Sequence, residues 1–110
     1  MIIDFSAIEE QVTPNMRGGE GVTAMRIHAD ADNKIISGRL EPGSSIGLHT
    51  HQGNSEVIYV LAGAGKVLCD GVYEVVEAGS CHYCPQGHAH SLINDGPEEL
   101  RFFAVVPRHG

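Results

Sequence analysis

From Lys34 onward the chain repeats one pattern: short runs rich in Val, Ile, Leu and Tyr, each closed by Gly, Pro, Asp or Asn. Runs of this kind read as β-strands over Lys34 to Leu40, Ile46 to His51, Glu56 to Leu61, Lys66 to Asp70, Val72 to Val76, Ser80 to Cys84, His90 to Ile93 and Leu100 to Val106. Turn residues stand between them, among them Glu41-Pro42-Gly43, Gln52-Gly53-Asn54, Ala78-Gly79, Pro85-Gln86-Gly87 and Asp95-Gly96-Pro97. Asp70-Gly71 between two apolar runs is a hairpin signal, because the favoured two-residue turn needs positive φ at both central positions. Many short strands at close spacing predict an all-β sandwich or barrel. The expected division is one domain over residues 1–110, with an arm and edge strand over 1–32 and the barrel core over 33–107.

The first thirty or so residues lack this regularity. Ser6-Ala7-Ile8-Glu9 matches a capping box, which predicts at most one helical turn, ended by Thr13-Pro14. Arg17-Gly18-Gly19-Glu20-Gly21 reads as a flexible stretch, Val22 to His28 as a further strand and Asp30-Ala31-Asp32-Asn33 as a turn.

At 110 residues the chain is large enough to bury a core without disulfides. A net charge of -7 argues against nucleic acid or an anionic membrane as partner. The start, Met1-Ile2-Ile3-Asp4-Phe5, lacks the basic and apolar pattern of a secretory signal, and a cytoplasmic protein is expected. Three cysteines make no disulfide framework. Cys81-His82-Tyr83-Cys84 falls in a strand, where positions i and i+3 face opposite ways, and all three thiols are expected to be free and buried.

Candidate chemistry lies in the histidines. His49 and His51 sit two apart and in a strand point to one face; Glu56 follows on the returning strand, and a second cluster, His88 and His90, comes later. Imidazole and carboxylate together suit one divalent ion such as iron, manganese, nickel, cobalt or zinc, and leave coordination positions open for water or substrate. His88 and His90 compete for the same role, since both would share a face within one strand. In Ser80 to Cys84, His82 pairs with Cys84 on one face and Cys81 with Tyr83 on the other, and one of these pairs points inward.

In order along the chain, Gly43, His49, His51, Glu56 and Gly63 spell G-x5-H-x-H-x4-E-x6-G, and Gly79, Pro85, Gly87, His90 and Asn94 spell G-x5-P-x-G-x2-H-x3-N. At these two motifs the sequence resembles the cupin superfamily. The resemblance implies a jelly-roll barrel, also called a double-stranded β-helix, with one metal ion held by His49, His51, Glu56 and His90. It leaves His88 on the preceding turn and gives Asn94 a structural role at its strand end.

Two functions follow as expectations. The first is a metal-dependent enzyme acting on a small polar substrate, of the dioxygenase, isomerase, decarboxylase or lyase class, with His82, Tyr83 and His88 as candidates for general acid or base. The second is a binding module that holds a small molecule or the metal without turnover. A structural zinc site is disfavoured, because such sites are closed and rich in cysteine. The short span from Gly63 to Gly79 leaves no long loop to cover the pocket, which suits a compact ligand. Apolar strands with edges to cover make a homodimer the expected assembly.

Overall fold

Alternating side chains along ten antiparallel strands close two sheets around one apolar core in the computed structural model, which describes residues Met1–Gly110. The strands are β1 (Gln11–Pro14), β2 (Val22–Ala29), β3 (Asn33–Leu40), β4 (His49–Thr50), β5 (Glu56–Ala62), β6 (Ala64–Cys69), β7 (Val72–Glu77), β8 (Cys81–Cys84), β9 (Ala89–Ile93) and β10 (Leu100–Pro107). One sheet has the order β1-β2-β3-β10-β5-β8, the other β4-β9-β6-β7. This is the expected all-β jelly roll. No helix is long and apolar enough to cross a membrane.

The core follows from the period of two. Leu100, Phe102 and Ala104 of β10 and Ile58 and Val60 of β5 all point inward and are buried. Phe102 lies opposite Gly38 of β3, and a Cβ added at Gly38 would come within 2.4 Å of the Phe102 ring. The missing side chain is what lets the tip of the ring come up to the neighbouring strand. Asp70 and Gly71 take φ of 51° and 79°, as the hairpin turn between β6 and β7 requires. Asn94 is fully buried. Its amide donates to the carbonyls of Leu40 (2.9 Å) and Glu98 (2.8 Å), and its oxygen accepts from Gly96 N–H (3.1 Å). It therefore cross-links chain segments that no ladder joins, the structural role the motif implied.

The N-terminal region departs from expectation. The helical turn is a 3-10 turn over Phe5–Ala7, capped by Asp4 rather than Ser6. Thr13 and Pro14 end strand β1 rather than a helix. The Arg17 to Gly21 stretch begins in a second 3-10 turn, Met16–Gly18, and is docked on the barrel. Two arginines tie this arm down: Arg39 grips both carboxylate oxygens of Glu10 (2.9 and 3.0 Å), and Arg26 donates to the Ile8 carbonyl.

Ile46 to His51 was expected as one strand, yet only His49–Thr50 forms a ladder. The cause is divided pairing. Ile46 N–H donates to Leu92 of β9, whereas Ser45 and Gly47 donate to Glu20 and Met16 of the arm, each at 2.9 Å. Backbone meets backbone here. A Cβ at Gly47 would lie 2.0 Å from the Arg17 carbonyl oxygen, and one at Gly19 would lie 2.1 Å from that of Ser45. Gly47→Ala is expected to cost about 1–3 kcal/mol in urea unfolding, in the range of overpacked sites. It should also speed tryptic cleavage after Arg17 at native conditions. Wild-type stability together with wild-type cleavage would show that the close approach is dispensable.

Candidate metal centre

Three strands bring the cluster together. His49 in β4 lies directly opposite His90 in β9, so their rings project from neighbouring strands of one sheet. His51 follows at the end of β4, where its N–H donates to His88 (3.0 Å) and its carbonyl accepts from Gly87 (2.7 Å). Glu56 opens β5 in the facing sheet. The three imidazole centroids lie 4.8 to 5.0 Å apart. His90 is 1% exposed, His51 7% and Glu56 8%.

At the centre, His51 Nε2 and His90 Nε2 are 2.9 Å apart, and Glu56 Oε1 is 3.1 Å from the first and 2.9 Å from the second. With His49, the four potential ligand atoms all lie within 4.8 Å of one another. Adjacent ligands at right angles around an ion with bonds of about 2.1 Å would be about 3.0 Å apart, whereas tetrahedral ligands would be about 3.4 Å apart. The three edges among His51, His90 and Glu56 match the right-angle spacing, while His49 stands farther off, within 4.8 Å of the others.

Each ring is held by its other nitrogen. His49 Nδ1–H donates to the Gly47 carbonyl (2.7 Å), His51 Nδ1–H to Asn54 Oδ1 (2.7 Å), and His90 Nδ1 meets His82 Nε2 (2.9 Å). The oxygen acceptors place a proton on Nδ1 of His49 and His51, so that an ion at the centre would meet their Nε2 lone pairs; without an ion, a proton on Nε2 of His51 or His90 joins the ring to Glu56. This cluster could hold a metal ion.

Charge is redistributed accordingly. Burial alone would raise the Glu56 carboxyl, but hydrogen bonds with His51 and His90 outweigh it and hold the group down at about 2. The Glu56 carboxylate raises His51 above the usual histidine range, against burial. Burial lowers His49, with the Gly47 carbonyl opposing. Glu56 is thus an anion throughout the neutral range.

The remaining sequence candidates occupy different places. The inward pair of β8 is His82 with Cys84; Tyr83 is 57% exposed on the outer face. His88 sits on the turn before β9, exposed, with Nδ1 2.5 Å from Asp70 Oδ2. Cys84 is buried and its thiol is pushed up to about 12 by burial and by neighbouring Cys69. Cys81 is exposed, against the expectation of a buried thiol, because it shares the outer face with Tyr83.

A cavity of about 250 Å³ opens onto the cluster. His49, His51 and Glu56 form one part of its wall, Met25, Ile27, Ile36, Ile46 and Val106 an apolar part, and Arg17 and Lys34 a cationic part. Of the seven lysines and arginines, Arg39, Arg101 and Lys66 are paired with carboxylates, whereas Arg17 and Lys34 make no ion pair. Arg17 itself has φ of 55°, a left-handed conformation that costs a non-glycine residue energy and recurs at functional sites. Sequence reasoning did not single out Arg17, Lys34 or Asn54. The one available signal was an arginine followed by two glycines in an acidic chain.

The profile of the cupin domain family matches residues 37–106. An oxalate-binding protein of Thermotoga maritima is 34% identical over 113 residues, spanning 96% of this chain and 93% of its own. The crystal structure of a predicted oxalate decarboxylase, also from Thermotoga maritima, superposes with a TM-score of 0.91 at 32% identity, covering 98% of this chain and 99% of that one. A sugar phosphate isomerase of the cupin superfamily from Silicibacter pomeroyi gives a TM-score of 0.78 at 24% identity over 98% of this chain and 76% of its own, a likeness of fold alone. With motifs, barrel and cluster in agreement, the chain belongs to the cupin family.

Proposed function

We propose that the protein holds one divalent metal ion through His49, His51, Glu56 and His90 and binds there a small chelating anion of the oxalate class. The observation that carries this reading is the cavity wall: two unpaired cations, Arg17 and Lys34, face the same space as the cluster. Four side chains on a six-coordinate ion leave two positions, the number a bidentate dianion fills. Arg17 offers the planar fork that suits a carboxylate, and Lys34 a point charge. The apolar wall limits water and strengthens each of these attractions. The similarity to an oxalate-binding protein along nearly the whole chain supports the same ligand class.

The wall also favours capture over conversion. Beyond the cluster, its side chains are methionine, aliphatic, hydroxyl and amide groups and the two cations. His82, Tyr83 and His88, the general acid or base candidates, all lie off it. A bound ion would supply Lewis-acid polarisation of a coordinated carboxylate. The chain's own residues bind and orient the anion, and beyond the cluster this wall offers no imidazole or carboxylate to move a proton. A homodimer through the outer face of the larger sheet, where Tyr59 and Tyr83 are exposed beside Val57 and Phe103, belongs to the same proposal.

Four outcomes test this reading. His51→Ala should abolish stoichiometric manganese binding measured by mass spectrometry, while His88→Ala should leave it nearly intact; equal losses would mean that the wrong histidine has been assigned. In calorimetry, oxalate should bind manganese-loaded protein and not the chelator-treated form. Arg17→Gln, which removes the guanidinium charge and keeps the β, γ and δ carbons, should weaken that binding about 10–100-fold, the value of a charged hydrogen bond. Equal oxalate binding without the ion would overturn the proposal, and release of carbon dioxide from oxalate would replace capture with turnover. Light scattering should give the mass of a dimer; a monomer would remove the assembly.

A further inference from the structure

His49 and His51 direct their outer ring nitrogens at oxygens, but His90 directs its own at another ring. We infer that His82 is a positioning residue for the metal centre: its Nε2 accepts the Nδ1 proton of His90 and so keeps His90 Nε2 bare as a ligand. This rests on the proposed metal site. The two nitrogens are 2.9 Å apart, and with centroids 5.1 Å apart and planes inclined by 29° the rings meet edge to edge, as an in-plane N–H donor requires.

One proton lies between the two rings, and its place decides what His90 can do. Held on His90 Nδ1, it leaves the Nε2 lone pair facing Glu56 and His51 across 2.9 Å. Held on His82 Nε2, it would force neutral His90 to carry its own proton at Nε2, and a protonated nitrogen cannot ligate. No solvent acceptor can stand in for His82, because His90 is 1% exposed. Partners of this kind orient the ring and raise its basicity, as carbonyls and carboxylates do behind other metal-bound histidines.

The strand framework fixes His82 in place. It lies opposite Ile58 in the β5–β8 ladder and faces inward with Cys84. Its other side lines a separate cleft of about 380 Å³, walled by Val67, Glu74, Val75 and Tyr83, where β7 and β8 end their respective sheets unpaired with each other. His82 does not line the cavity that carries Arg17 and Lys34. Its loss should act on the ion without removing any wall of the anion cavity.

The test uses zinc affinity of the full chain, measured against a competing chelator. His82→Phe and His82→Leu should bind zinc about 10–100-fold more weakly, whereas His82→Gln, whose amide oxygen can accept the same proton, should stay within about threefold of wild type. In zinc-loaded wild-type protein with nitrogen-15 histidine, magnetic resonance should show His90 protonated at Nδ1 and His82 bare at Nε2. This second measurement needs no variant and stands even where a substitution fails to fold. A proton on His82 Nε2 would overturn the inference, as would wild-type zinc affinity in His82→Phe or an equal loss in His82→Gln, which would assign the effect to packing. Failure of wild-type protein to bind zinc would instead sink the metal reading and this inference with it.

Discussion

Three ring nitrogens and one carboxylate oxygen converge inside the barrel, and no backbone donor enters the space between them. Such a gathering of lone pairs is unfavourable unless a positive charge sits among them, because buried acceptors that face one another repel and have lost their water. The rest of the molecule is arranged so that the gathering survives. Asn94, fully buried, ties the end of β9 to the β3 end and to the loop before β10. Gly47 supplies the carbonyl that orients His49, while its N–H holds the arm. The aliphatic core that fills the space between the sheets makes the two strands carrying His49 and His90 rigid enough to keep their rings in register.

Much of this was legible in the sequence because β-structure writes its geometry in a period of two. The apolar runs Glu56 to Leu61 and Leu100 to Val106 identified strands, though not which of their residues point inward, and Asp70-Gly71 identified a hairpin whose backbone angles match the turn. The His-x-His pair and the two motifs likewise pointed to residues that the fold brings within 4.8 Å. Here local chemistry and global architecture agree, as they do in sequences that fold to one state.

What escaped is what depends on contacts distant in sequence. The arm carries no periodicity, and its order comes from Glu10 meeting Arg39 and from Gly19 and Gly47 admitting a backbone across more than twenty residues of chain. Ile46 to Leu48 reads as strand by composition but has its hydrogen bonds divided between two partners. Which face of Ser80 to Cys84 points inward could not be read, since His82 and Tyr83 are both amphipathic; the packing of His82 against His90 decides it. Arg17 was invisible for the same reason, being placed by a docked turn rather than by a repeating pattern.

The matched family region begins at residue 37, whereas Arg17 and Lys34 both precede it. On the proposed reading, the ion and its guest are thus served by different residues of one chain, the ion by side chains on or beside β4, β5 and β9 and the guest by Arg17 of the docked N-terminal turn and Lys34 of β3. Heredity can act on the two separately. Substitution of Arg17 or Lys34 would change the charge that the cavity offers a guest while the four convergent side chains stay untouched.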